Sequence, residues 1–260
     1  MVIRMKDKAL NIFLIIQGGC YAAFLFLDLK GDHISISTGI KLSIILLCFL
    51  YTLWMREGES TRDMLLLRVA LFFTFLSDFI ILLLPAKAYI YGVGSFLIVQ
   101  QLYGIRLKCG DNRRRGLPEP RGLFSYWLLR LASELFAALL ILLGLYLADV
   151  SPDGLLIAST VYFISLVFNV IGSIRLALRK PSWVNHRIFA AGLLLFLLCD
   201  INVGLFNLSG YISLSGKAGE LIYRLSSILM WTFYAPSQVL IAVSGERTPS
   251  ILTKKMKKIM

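Results

Sequence analysis

Long apolar stretches separated by short polar breaks dominate this chain. A helix crossing a bilayer needs about 17–25 mostly apolar residues. Eight such runs are found, near 9–27, 36–54, 65–84, 89–107, 125–147, 155–178, 188–208 and 221–243. Transmembrane strands would alternate apolar and polar residues over segments of about ten, and no such segments are found. The pattern predicts an all-α integral membrane protein with one membrane domain over 1–260, divided into two four-helix halves. Composition agrees: hydrophobic residues make up 58% of the chain and charged residues 16%, with mean hydropathy +0.77. The first run follows Arg4, Lys6 and Lys8, as in a signal peptide, but it is long and lacks an Ala-x-Ala cleavage site. It is read as a retained first helix.

A formal charge of +12 raises the question of nucleic acid. Its distribution answers in favour of topology. With eight helices and an inside N-terminus, 22 of the 27 Lys and Arg residues fall on the inner side, leaving Lys30, Lys41, Lys87, Lys217 and Arg224 outside. That is the positive-inside pattern for two cytoplasmic termini. Basic clusters such as Arg113–Arg115 and the tail KKMKK are expected to meet anionic lipid headgroups, not nucleic acid. The expected location is a multi-pass membrane position, the inner membrane if the source is bacterial.

Two connections are longer than the rest, Lys108–Phe124 and Asn207–Glu220. The first holds the polar, Gly- and Pro-bearing stretch CGDNRRRGLPEPRG and separates the halves. The third helix of each half carries the same device, FLSD ending at Asp78 and LLCD ending at Asp200. This suggests a parallel internal repeat. A carboxylate at membrane depth costs at least a few kcal/mol and by default marks a functional site. Asp78 and Asp200 fall about 13 and 12 residues beyond their expected helix starts. At 1.5 Å per residue, both lie roughly 20 Å from the inner end. Two carboxylates at one depth are placed to share a polar pocket.

Gln17, Ser77, Gln100, Gln101, Tyr103, Glu134, Asn169, Asn202, Tyr234, Ser237 and Gln238 widen the candidate pocket. For any one of these, the plainer alternative is a hydrogen bond to a neighbouring helix, worth under about 1–2 kcal/mol. Glu134, able to carry charge, stands between a structural partner and a second polar site. Cys20, Cys48 and Cys199 fall within spans and Cys109 at a helix end, which suits small buried residues. His33 and His186 fall in expected loops on opposite sides. A three-histidine zinc site is therefore excluded and a Ser-His-Asp triad disfavoured. No Walker loop, dinucleotide fingerprint or metal cluster is present, so no cofactor is expected.

FLSD in helix three, GSFLIVQQLY at Gly94–Tyr103, AGLLLFLLCD at Ala191–Asp200 and YAPSQVLIA at Tyr234–Ala242 together resemble the YhhN family of eight-helix membrane proteins, which includes lysoplasmalogenases. The resemblance covers helix number, order and orientation over essentially the whole chain. It implies that Asp78 and Asp200 are the family's aspartates in helices three and seven. It also matches Tyr234 and Gln238 to the Tyr-x-x-x-Gln of helix eight. Where the family's helix four resembles Phe-x-x-x-His-x-x-Tyr, Phe96 and Tyr103 fit and Gln100 replaces the histidine. Glutamine cannot shuttle a proton. Pro236 within helix eight should kink it.

The implied reaction is hydrolysis of the vinyl ether of a lysoplasmalogen to a fatty aldehyde and a glycerophospho-base. Acid hydrolysis of a vinyl ether protonates the alkene carbon, giving an oxocarbenium ion that water captures. Desolvation favours a carboxyl's neutral form, and two close carboxylates tend to hold one proton between them. One carboxyl then serves as acid while the other stabilises the cation and activates water. Asp78 and Asp200 are the expected catalytic pair, with Gln100, Tyr103, Tyr234 and Gln238 binding substrate; the expected partners are lysoplasmalogen and membrane lipids. Two alternatives stay open: a lipid-binding relative altered in catalysis, motivated by Gln100, and a small-solute or proton-coupled transporter, motivated by the paired carboxylates and repeated halves.

Overall fold

The computed structural model describes residues 2–31, 33–55, 60–114, 122–179, 184–207 and 217–246. The KKMKK tail, Arg115 and the segment 115–121 lie outside the described residues. Among those described, all regular structure is helical. The elements are α1 (Val2–Lys30), α2 (Ile34–Trp54), α3 (Thr61–Leu83), a 3-10 turn at Ala86–Ala88, α4 (Tyr89–Arg114), α5 (Leu123–Leu147), α6 (Gly154–Arg179), α7 (Val184–Asn207) and α8 (Lys217–Val243).

Seven of the helices are long and apolar enough to cross a membrane, so the chain reads as a multi-pass membrane protein. The exception is α4, expected as a span like the others. Gln100, Gln101, Arg106 and Lys108 dilute its hydropathy. It packs against α3, α5 and α6, so its polar side chains meet protein instead of lipid. On the other helices large apolar side chains face outward, as with Ile15, Phe136 and Leu147.

Helix ends follow local chemistry. Ser60 caps α3, its hydroxyl accepting from the Asp63 amide at 3.1 Å. The Asp153 carboxylate caps α6 through the Leu156 amide at 2.7 Å. Arg68 donates to the terminal carbonyls of α2, Thr52 O at 2.8 Å and Met55 O at 2.5 Å, where a cation suits the helix's negative end.

Several expected boundaries move: α1 spans Val2–Lys30 against an expected 9–27, and α8 begins at Lys217, four residues before its expected start. Helices α3 and α7 each begin four residues before their expected starts, at Thr61 and Val184. Helix α4 continues to Arg114, through half of the stretch expected to be linker. The cause is packing: Gly110 lies against His186 and Leu176, so this polar segment is held as helix inside the basic end of the bundle.

The most extensive helix–helix contacts are those of α3 with α4 and of α7 with α8. At Gly192 a Cβ would come within 3.1 Å of the Ser237 carbonyl and the Ile241 amide, so only glycine allows α7 and α8 to meet so closely. The halves interlock instead of standing apart, because α8 also packs on α1 and α2, and α4 on α6. The main core, including Phe24, Leu71, Val99, Leu166, Phe196 and Ile241, draws on all helices except α5.

Pro236 removes the amide that would bond the Thr232 carbonyl one turn earlier in α8. The Tyr21 hydroxyl of α1 donates to that carbonyl at 3.1 Å instead. Beside this break, Leu14, Gln17, Gly18, Tyr21, Ile44, Ala235, Pro236, Val239 and Leu240 line a cavity of about 290 Å³.

Candidate active site

Asp78 lies 17 residues after Thr61 on α3, and Asp200 16 residues after Val184 on α7. Both helices lengthen by four residues at the same end, so the expected match in depth is kept. The two carboxylates come close enough for their charges to act on each other. Asp78 is buried and accepts a hydrogen bond from the Tyr234 hydroxyl at 2.6 Å. Asp200 is partly exposed, while its Oδ2 is enclosed and has no hydrogen-bond partner.

Aromatic rings surround the pair. Phe96 of α4 meets Tyr162 of α6, Phe196 of α7 and Tyr234 of α8, with ring centroids 5.6, 5.8 and 6.3 Å apart. Tyr234 also contacts Phe196 at 5.4 Å and the edge of Trp231 at 5.2 Å. The Tyr162 hydroxyl is buried beside Asp200, its nearest polar neighbour, at a geometry too loose for a well-formed hydrogen bond. Five helices, α3, α4, α6, α7 and α8, thus converge on two carboxyls and two phenols.

The other expected site residues lie along the same interior, toward the basic end. On α4, Gln100 is one turn from Phe96, and Tyr103 follows three residues later on the same face. The Asn169 amide of α6 donates to Gln100 Oε1 and to the Gln100 carbonyl, each at 2.8 Å. Tyr103 is fully buried, edge-on to Phe189 at 5.3 Å and beside Thr74. Gln238, one turn from Tyr234 on α8, donates to Ser237 at 3.2 Å. Of the six expected residues, Asp78, Asp200 and Tyr234 therefore share one cluster, while Gln100, Tyr103 and Gln238 have other neighbours.

Several residues of the wider expected pocket have partners elsewhere, although the Gln17 and Gln101 side-chain oxygens stay enclosed without one. Gln17 donates to the Ile44 carbonyl at 3.1 Å, Ser77 to that of Gly92 at 2.6 Å, and Ser237 to that of Tyr234 at 2.7 Å. Asn202 donates within its own helix to Leu198 at 2.8 Å. Gln101 turns away from Gln100 and donates to Glu134 Oε2 at 2.6 Å. Glu134 is fully buried and also holds Arg130 Nε at 2.6 Å and the Ser165 hydroxyl at 2.5 Å. Glu134 thus ties α5 to α4 and α6.

A third polar cluster closes the basic end. Arg106 makes two bonds to Asp63, at 3.0 and 3.1 Å, and one to the Ser244 hydroxyl at 2.9 Å. Its guanidinium also lies 4.4 Å from the Phe189 ring centre. Glu246 is bonded by the Tyr51 hydroxyl and the Asn185 amide.

Sequence reading missed Tyr162, Phe196 and Trp231 as parts of the site. The available signal was spacing: Tyr162 lies seven residues before Asn169, two helical turns along the same face. Cys48, Cys109 and Cys199 are buried, as expected of small apolar residues. Among the described residues no three His, Cys, Asp or Glu side chains are grouped as metal ligands would be.

The model of the YhhN family matches residues 36–245, most of the chain. No curated protein and no solved structure gives a match.

Proposed function

The chain belongs to the YhhN family, and we propose that it is a membrane-embedded hydrolase that cleaves the vinyl ether of lysoplasmalogens to a fatty aldehyde and a glycerophospho-base. The observation that carries this reading is the placement of Asp78 and Asp200, on two different helices, within electrostatic reach of each other and each beside a buried phenol, Tyr234 and Tyr162, of one aromatic cluster. Vinyl ether hydrolysis needs a proton donor, a group to steady the cation and a group to take a proton from water. A carboxyl pair holding one proton supplies all three.

In the proposed cycle Asp200, with its unpartnered Oδ2 and partly exposed side chain, meets the substrate. The carboxyl pair gives its proton to the alkene carbon, leaving an oxocarbenium ion faced by carboxylate and aromatic rings. Water adds to the cationic carbon and returns its proton to the pair. The resulting hemiacetal collapses to aldehyde and alcohol, with a proton passed from its hydroxyl to the departing oxygen. Tyr234 holds Asp78 in place throughout. The chain is further proposed to lie with both termini cytoplasmic, which sets the aspartates near the outer surface.

The test is aldehyde release from lysoplasmalogen by purified protein in lipid nanodiscs. Turnover by the wild type, with strong loss in both Asp78→Asn and Asp200→Asn, supports the assignment. Unchanged turnover in both variants refutes it.

A lipid-binding relative altered in catalysis is the second reading. Gln100 favours it, because Asn169 holds this residue in place of the histidine of resembling proteins. Hydrolysis that appears only in Gln100→His would select this reading.

A further inference from the structure

Buried polar atoms in proteins nearly always have a hydrogen-bond partner, so a group of orphans in one place calls for a physical reason. Such a group runs down the centre of this bundle. Gln100 Nε2, Asn169 Oδ1 and Gln238 Oε1 are enclosed without a partner, and Asp200 Oδ2, Tyr162 Oη and Tyr103 Oη are enclosed without a well-formed bond, the phenols having only loosely placed neighbours in Asp200 and Thr74. They come from four helices, and register puts them on inward faces. Phe96, Gln100 and Tyr103 form one stripe of α4, Tyr162 and Asn169 one of α6, and Tyr234 and Gln238 one of α8. The Asn169 bond to Gln100 joins two of these stripes directly. From Phe96 to Arg106 the column extends ten residues of α4, about 15 Å at helical rise. It ends against the buried Arg106–Asp63 pair.

The orphans complement one another chemically. Gln100 Nε2 is a donor, Asn169 Oδ1 and Gln238 Oε1 are acceptors, and the two phenols serve as either. A buried water needs two to four such partners. We propose that this column is a binding site for a short chain of ordered water molecules leading from the Arg106 end to the aspartate pair. Its purpose, feeding water to the hydrolytic step from inside the protein, rests on the function proposed above. Its existence does not. The arrangement also gives Gln100 a task that histidine is not needed for, since an amide holds water without carrying a proton.

The experiment is radiolytic footprinting of the full chain in nanodiscs equilibrated with ¹⁸O-water, read by mass spectrometry. Tyr103 and Tyr162 should take up ¹⁸O despite their burial, whereas Phe24, as enclosed as Tyr103 but outside the column, should not. In Asn169→Leu, and separately in Gln238→Met in case the first fails to fold, the Tyr103 label should fall several-fold while Phe24 is unchanged. An unlabelled Tyr103 in the wild type, or an undiminished label in a folded variant, overturns the proposal. Labelling as expected in a protein without aldehyde release keeps the water site and removes the hydrolase reading. Where turnover is present, Asn169→Leu should lower kcat with little change in KM; unchanged kcat overturns the delivery role.

Discussion

Gly104→Ala is a sharp test of the buried charge cluster that attaches α5. A Cβ at position 104 would lie 1.7 Å from Arg130 Nη1 and 2.3 Å from its Cζ, so the guanidinium has to move. An exposed arginine would do so at little cost. This one is 9% exposed, with Nε at 2.6 Å from Glu134 Oε1 and Nη2 at 3.3 Å from the Ser165 carbonyl. Displacing it leaves a fully buried carboxylate without its cation, and removing one partner of a buried pair costs about 3–5 kcal/mol. Gln101 and Ser165 still donate to Glu134, so the lower figure applies. At roughly 2–4 °C per kcal/mol for chains near this size, the expected fall in Tm is about 6–12 °C. Thermal unfolding in detergent measures it. Gly144→Ala, on the same α5 but with nothing within 4 Å of the new Cβ, is the control and should leave Tm unchanged or raise it slightly. In an Arg130→Met background the Gly104→Ala penalty should nearly vanish. An equal penalty in that background, or none in the wild type, refutes the reasoning.

Other outcomes follow from single contacts. Tyr234→Phe removes the 2.6 Å bond to Asp78; bonds to charged groups are worth about 1.5–3 kcal/mol, so kcat for aldehyde release should drop roughly ten- to hundred-fold, and an unchanged kcat counts against Tyr234 as the residue that holds Asp78. Tyr21→Phe orphans the Thr232 carbonyl at a cost of about 1–3 kcal/mol. Added to Pro236→Ala, which restores the helical amide, it should cost almost nothing by the same thermal assay. Arg106→Lys cannot reproduce the paired bonds to Asp63 or the bond to Ser244. It should lower Tm by several degrees, and an unshifted Tm would show that the basic end is not held this way.

How much of this was readable in sequence depended on what a residue stands out against. Asp78 and Asp200 were visible because a carboxylate in an apolar run has few explanations. Tyr162 and Phe196 were not, since helices apolar nearly all round give no periodic signal to show which face looks inward. Helix ends were misjudged where polar residues are buried: Asp63 and Asn185 look like loop residues to a hydropathy scale, yet both lie inside helices, bonded to Arg106 and Glu246. Gln100 and Gln101 show the limit most clearly. Adjacent in sequence, they diverge by about 100° around α4 and join different clusters, one central and one holding Glu134.

The same contacts bear on whether the aspartates serve chemistry or transport. Transport by alternating access needs the central site to open in turn to both ends, with one half of the bundle rocking against the other. Here α4 of the first half is tied through Arg106 to α3 and to Ser244 just past α8, and Glu246 is tied to both Tyr51 of α2 and Asn185 of α7. Two of these, Arg106–Ser244 and Tyr51–Glu246, cross between the halves at the basic end. Opening that end would break the Arg106–Ser244 and Tyr51–Glu246 bonds, each involving a buried or partly buried charged group, while the Arg106–Asp63 pair lies within the first half and moves with it. Asp78 and Asp200 lie only five and seven residues from the opposite ends of their helices, and Asp200 is partly exposed. Access from one side suits a site that receives an amphiphile, transforms it and releases it the way it came. Uptake of solute into proteoliposomes would contradict that balance, because it demands the motion these bonds oppose.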